Sequence, residues 1–309
     1  MYIDINMSPK EGSSYAALHF DSIQDFVRMK DTKESQECWH EVVEDKMRQQ
    51  SKKDNLEWFG VESMQELQES LSIGNDRYVK LVDDSMVSFK SPTVLRRRRA
   101  YGNSGDELDV HRMNSGNFSS MWTYRSARPS TGIKNIRLVV NNCQSWNVES
   151  NDMKWIGVTA VVLSVALQNA GYNVNITGCS LSEDVFENMM GKPDHHYQFY
   201  PIKDYSTNFD IKAICGATVS PAMFRTAGFM NKGVHGWPLD DGLGVSFKGR
   251  ELVEDCVGKI YNDSSELFFV IHNDILSKEK CKNEIDRILQ EIETGEVEKK
   301  EKSEEWDLL

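Results

Sequence analysis

No uninterrupted apolar run reaches the roughly 18 residues that a helix needs to span a bilayer, so the sequence predicts no membrane-spanning helix and no membrane partner. No Cys-x-x-Cys pair occurs either: Cys38, Cys143, Cys179, Cys215, Cys256 and Cys281 stand far apart. A zinc site needs ligands clustered at short spacing, while an isolated thiol in an apolar context behaves as a small hydrophobe. Reduced thiols, no bound metal and no cofactor are the expectation. Also missing are Gly-x-Ser-x-Gly and the phosphate-loop pattern Gly-x-x-x-x-Gly-Lys-Ser/Thr. The first residues, Met1-Tyr2-Ile3-Asp4-Ile5-Asn6, lack the basic start and apolar core of a signal peptide. The product is therefore expected to stay in the compartment that makes it.

What the sequence does have is an uneven charge. The net charge is −12, yet residues 94–137 hold nine Lys or Arg against three acids. The cations are Arg96, Arg97, Arg98, Arg99, Arg112, Arg125, Arg128, Lys134 and Arg137, with Tyr101, Phe118, Trp122 and Tyr124 among them. Positive charge concentrated in an acidic chain marks a site for a polyanion. Guanidinium groups hold phosphates, and aromatic rings stack on any unpaired base. This reading gives Arg96, Arg97, Arg98, Arg99, Arg125 and Arg128 to phosphates and Tyr101, Trp122 and Tyr124 to bases. Two structural alternatives compete with it. The four consecutive arginines can form a solvated loop or pair with Asp106, Glu107 and Asp109, and Trp122 and Tyr124, two apart, fit the core-facing side of a strand.

The remainder is 39% hydrophobic and 27% charged, ordinary for a globular protein. Residues 1–92 read as a small mixed α+β region, with a strand ending near His19 and a helix opened by Ser63 and Glu66 as a capping box. Residues 93–135 form the basic-aromatic segment. Residues 136–295 read as strands at 136–140, 172–177, 197–202, 209–215 and 267–271. Helices are expected at 152–170, 183–190, from Ser220 onward, at 251–261 and at 277–293. Alternation of this kind predicts an α/β fold with a mostly parallel, doubly wound sheet covered on both faces. Ligands lie beyond the carboxyl ends of such strands, here the loops after Val140, Thr177, Cys215 and Ile271.

Asn141-Asn142-Cys143-Gln144-Ser145 follows the first of these strands, and a long helix begins soon after. This order resembles the von Willebrand factor A-type domain over about residues 134–295. That family ends its first strand in the metal-binding pattern Asp-x-Ser-x-Ser. Asn141 stands at the Asp position, Cys143 at the first Ser and Ser145 at the second. The resemblance therefore implies an A-domain-like fold with a degenerate site, since a hard cation wants carboxylate and hydroxyl oxygens. A second set of stretches is Phe20-Asp21-Ser22-Ile23 with Phe26, the four arginines with Gly105-Asp106-Glu107-Leu108-Asp109-Val110 and Arg112, and Trp155 with Gly157 on to Gly171-Tyr172. These look like a family of uncharacterised bacteriophage proteins across most of residues 19–178. That resemblance implies a phage origin and the cytoplasm of an infected host cell.

No catalytic centre stands out. His195 and His196 are adjacent, so they point apart on a regular backbone and read as loop histidines. Asp240 and Asp241 lie in a glycine-rich turn, and a hydrolase built on them is the weakest reading. The final residues, 296–309, hold six acids and three lysines and end in Trp306-Asp307-Leu308-Leu309, too polar a stretch to pack. They resemble the acidic tail of replication-type single-strand-binding proteins. That resemblance implies a flexible tail that competes for the basic groove and offers Trp306, Leu308 and Leu309 to a partner. The resulting expectation is a non-enzymatic phage accessory protein of transcription or replication. It would bind single-stranded nucleic acid, DNA by preference, and recruit a phage or host protein such as a polymerase. The alternative is an interaction adaptor that uses residues 141–145 to hold a partner such as an AAA ATPase.

Overall fold

A computed structural model describes residues 2–4, 15–28, 36–37, 39–88, 99–102, 107–125, 135–145, 147–183, 195–207, 209–228, 230–231, 245–246, 250–261 and 266–294. The strands among them are β1 Tyr2–Asp4, β2 Tyr15–His19, β3 Arg99–Gly102, β4 Glu107–Leu108, β5 Trp122–Arg125, β6 Asn135–Asn141, β7 Asn173–Glu183, β8 His195–Lys203, β9 Val245–Ser246 and β10 Glu266–Ile271. The helices are α1 Ile23–Arg28, α2 Asp45–Gln49, α3 Lys52–Phe59, α4 Met64–Ile73, α5 Asp76–Ser88, α6 Val110–Asn114, α7 Ser150–Ala170, α8 Ile211–Thr218, α9 Pro221–Met223, α10 Arg250–Ile260 and α11 Lys278–Thr294.

The branched run Ile136, Leu138, Val139 and Val140 makes β6 a buried interior strand of the main sheet, whose order is β1-β2-β8-β7-β6-β10. β6 pairs in parallel with β7 and with β10, as the α/β reading expects. Beyond β7 the sheet turns mixed: β8 runs antiparallel to β7, β2 parallel to β8, and β1 antiparallel to β2. β9 adds a short antiparallel pairing at Ser182 and Glu183 of β7. Alternate residues feed two cores. Ile136, Leu138, Val140, Val174, Ile176 and Ile271 pack under α7 and α11. Val139, Leu181, Tyr197, Phe199 and Val270 pack on the other face against Val253 and Val257 of α10.

α7 is long and apolar enough, by length and composition alone, to cross a membrane, although its 21 residues are not an uninterrupted apolar run. Here it is a core helix, with 61% of its most apolar window buried in the fold. Its interior polar residues turn inward on the helix: Thr159 Oγ1 donates to Trp155 O at 2.8 Å and Ser164 Oγ to Ala160 O at 2.6 Å. Satisfied in this way, they cost little in apolar surroundings.

Three sequence expectations change. Residues 209–215 are not a strand. Asp210 accepts from the amides of Lys212 and Ala213 and so caps α8, which wins over an apolar run that fits either period. β7 runs on to Glu183, so no helix starts there, and the rest of the helix expected at 183–190 lies outside the described residues. His195 and His196 belong to β8 rather than to a loop, and His196 is buried. The N-terminal elements join the main core: β2 borders β8, Tyr78 and Val82 of α5 enter the α7 cluster, and Ser150 Oγ donates to Leu56 O at 2.8 Å.

Candidate functional site

The basic-aromatic segment builds a second sheet, β3-β5-β4, antiparallel throughout. Its register sets Arg99 against Arg125, Ala100 against Tyr124, Tyr101 against Thr123 and Gly102 against Trp122. Strand residues alternate between faces. Positions 99, 101 and 125 therefore share one face, with position 107 of β4 beside them, while positions 122 and 124 share the other. The ladder unites five of the expected site residues and divides them between its two surfaces. Trp122 is half-buried. Arg96, Arg97, Arg98 and Arg128 lie outside the described residues, as do Asp240, Asp241, Trp306, Leu308 and Leu309.

Two arginines of the basic stretch 94–137 are committed to internal partners. Arg112 lies 3.7 Å from the Asp109 carboxylate and donates to Ser120 Oγ at 3.2 Å. Arg137 makes a two-pronged contact with Glu266, at 2.8 and 3.3 Å, and its guanidinium sits 4.4 Å from the Tyr261 ring. Sequence reasoning left Phe118 out of the site. It opens the short 3₁₀ turn Phe118–Ser120 and is 62% exposed. Leu108 and Val110 beside it are also exposed, so this small region carries three of the four exposed large hydrophobics among the described residues.

The A-type positions are packed inward. Asn141 Oδ1 accepts from the Cys143 amide at 3.1 Å, and Cys143 sits in an apolar cluster with Met153 and Phe224. Asn142 Nδ2 donates to the Tyr200 hydroxyl at 3.2 Å. Gln144 Nε2 donates to Asn273 O, and Asn273 Nδ2 donates back to Cys143 O at 2.9 Å. These bonds lock the loop after β6 to the loop after β10. Of the five residues 141–145 only Ser145 is partly exposed. A thiol turned into an apolar cluster and an amide oxygen already bonded make a poor ligand set for a hard cation. Among the described residues no three His, Cys, Asp or Glu side chains converge as a metal site would require. The other two loops expected at strand ends do not exist, since Thr177 lies within β7 and Cys215 within α8.

A buried cation stands behind the β6–α7 loop. Arg225, 1% exposed, donates from Nη1 to Trp58 O at 2.6 Å and from Nη2 to Val148 O. Its guanidinium lies 4.0 Å from the Trp58 ring, and Lys46 Nζ lies 4.6 Å from the same ring. Burial pushes the Arg225 pKa down to about 10. Burial, and then the Arg225 charge, also lower that of Lys46. Nothing in the local sequence signals this role, because it depends on two carbonyls 167 and 77 residues away.

A family model described as "Domain of unknown function (DUF7192)" matches residues 8–296. No curated protein and no solved structure matches the chain.

Proposed function

The chain belongs to the DUF7192 family, and we propose that it binds single-stranded nucleic acid through the β3-β5-β4 sheet. One observation carries this reading: the register that opposes Arg99 and Arg125, with position 101 two residues along β3 on the same face and the acid Glu107 of β4 the other charge there. Like charges at directly opposed strand positions repel. A phosphate between them replaces that repulsion with two charge-assisted contacts. Exposed Phe118 supports the reading further, because an aromatic face stacks on any base. The same proposal gives Arg96, Arg97, Arg98 and Arg128 to phosphates and Trp122 and Tyr124 to bases. It gives Trp306, Leu308 and Leu309 to a protein partner such as a polymerase.

The main sheet serves in this reading as a non-enzymatic, A-domain-like scaffold, for which the parallel β6-α7-β7 unit is the support. The setting is transcription or replication of a bacteriophage genome in an infected cell. The support for it is the wording of Phe20-Asp21-Ser22-Ile23, the arginine run, and Trp155 to Gly171.

Fluorescence anisotropy of a labelled strand of about twenty nucleotides, longer than the roughly 4–16 that such a surface covers, tests the proposal across a salt series. Affinity is expected to fall steeply as salt rises. Arg99→Ala or Arg125→Ala should reduce the log–log salt slope by about one unit. Phe118→Ala should weaken binding by about 1–3 kcal/mol. Absence of binding by folded protein at low salt, or an unchanged slope in both arginine variants, would overturn it.

A further inference from the structure

The end of α3, α5 from Arg77 to Asp84 and the start of α7 line a half-open cavity of about 210 Å³. Arg77 and Lys80 of α5 and Lys154 of α7 line it, opposed by one acid, Asp84. We propose that this cavity binds a phosphate group, either free or carried by a small phosphomonoester.

Three observations converge on that ligand. First, the acids near the cations hold them weakly: the Asp152 charge favours the Lys154 ammonium but makes no ion pair with it. Among the described residues neither Arg77 nor Lys80 forms an ion pair, and Lys154 Nζ donates only to the neutral Asn151 Oδ1, at 3.4 Å. With Asp84 counted, the lining keeps an excess of positive charge inside a chain whose net charge is −12. Second, the groups are gathered against their own repulsion. Burial, and then the Arg77 charge, hold the Lys154 ammonium below the usual lysine range. An anion between them would remove that penalty, and a guanidinium beside an ammonium suits phosphate oxygens.

Third, the neutral groups around the cations favour an anion. Ser150 and Asn151 form the open first turn of α7, and no side chain caps that turn. The amides of Asp152 and Met153 both bond Glu149 O. The helix dipole adds to the cations rather than makes the site alone. The Tyr78 hydroxyl is already spent on Gly60 O at 3.0 Å, which leaves Arg77, Lys80 and Lys154 as the recognition groups. Size sets the ligand class. Sites for drug-sized ligands occupy roughly 300–1,000 Å³, so about 210 Å³ admits a phosphate with a few attached atoms but not a whole nucleotide.

The test is calorimetric titration of the full chain with inorganic phosphate and with glycerol phosphate, against chloride at matched ionic strength. Saturable binding of at least one of them is expected. Arg77→Gln and Lys154→Gln should each weaken it by about tenfold or more, in line with loss of one charge-assisted contact. Lys80→Gln should weaken it less, and Lys282→Gln on α11 not at all. Asp84→Asn should tighten it, an outcome that a merely unfolded variant cannot imitate. Tighter binding of the ester assigns a carried phosphate, and tighter binding of inorganic phosphate assigns the free ion. Heats equal to those of chloride, or equal affinity in the Arg77, Lys154 and Asp84 variants, would overturn the proposal. Oligonucleotide binding by Arg77→Gln should stay unchanged, which separates this site from the small sheet.

Discussion

The Tyr78 hydroxyl, buried between α3 and α5, donates to Gly60 O, and burial raises its pKa to about 12 from the ordinary 10. A raised folded-state value means that the group stabilises fully below pH 10 and loses that contribution as pH climbs through about 12. Tyr78→Phe should therefore cost about 1 kcal/mol at neutral pH, the value of a lost hydrogen bond. The gap to the parent should close, and then reverse, between pH 10 and 12. Urea unfolding across that range measures both, and a pH-independent gap would refute the assignment. Individual residues were the hardest scale to read from sequence. Asn141, Cys143 and Ser145 were singled out for their spacing, yet the fold turns Cys143 towards Met153 and Phe224. Arg225 and Phe118 owe their roles to burial and exposure, which one residue type cannot announce: the charged group is inside and the ring is outside.

At the scale of elements, periodicity served well wherever the chain offered one period. The alternation around Val139 and the long run after Ser150 could fold only as a central strand and a core helix. It failed at 209–215, where Ile211, Ile214 and Cys215 fit a strand or a helix and a single cap decides. Asp210→Ala should accordingly lower stability by about 1 kcal/mol, measurable as a shift in the urea midpoint with unchanged slope. The contact between α7 and α8 is tighter still. A Cβ on Gly157 would stand 2.2 Å from the Thr218 carbonyl oxygen, where only backbone can yield. Gly157→Ala is expected to force the helices apart and cost about 1–3 kcal/mol. Thermal unfolding that matches the parent would mean that the two helices separate freely. The antiparallel pairing of β7 with β8 lay beyond local reading, because it rests on contacts such as Ser182 with His196 rather than on either strand alone.

For the molecule as a whole, charge distribution is the property that sequence discloses most directly and that links the two proposed anion sites. A chain of net charge −12 repels nucleic acid at long range, so any contact must be local and must work against the remaining field. Residues 296–309 hold six acids and three lysines, a sizeable part of that field, and they lie outside the described residues. If they compete for the Arg99–Arg125 surface, a chain ending at residue 295 should bind the oligonucleotide more tightly than the full chain at low salt. The two should converge as salt screens the difference, because the Debye length falls from about 30 Å at 0.01 M to about 10 Å at 0.1 M. The phosphate cavity offers the internal contrast. Competition for the Arg99–Arg125 surface would act there and not at the cavity lined by Arg77, Lys80 and Lys154. Removal of the same residues should then leave phosphate affinity at Arg77 and Lys154 nearly unchanged. Equal gains at both surfaces would instead make the effect one of net charge alone, with no competition by the C-terminal residues for the sheet.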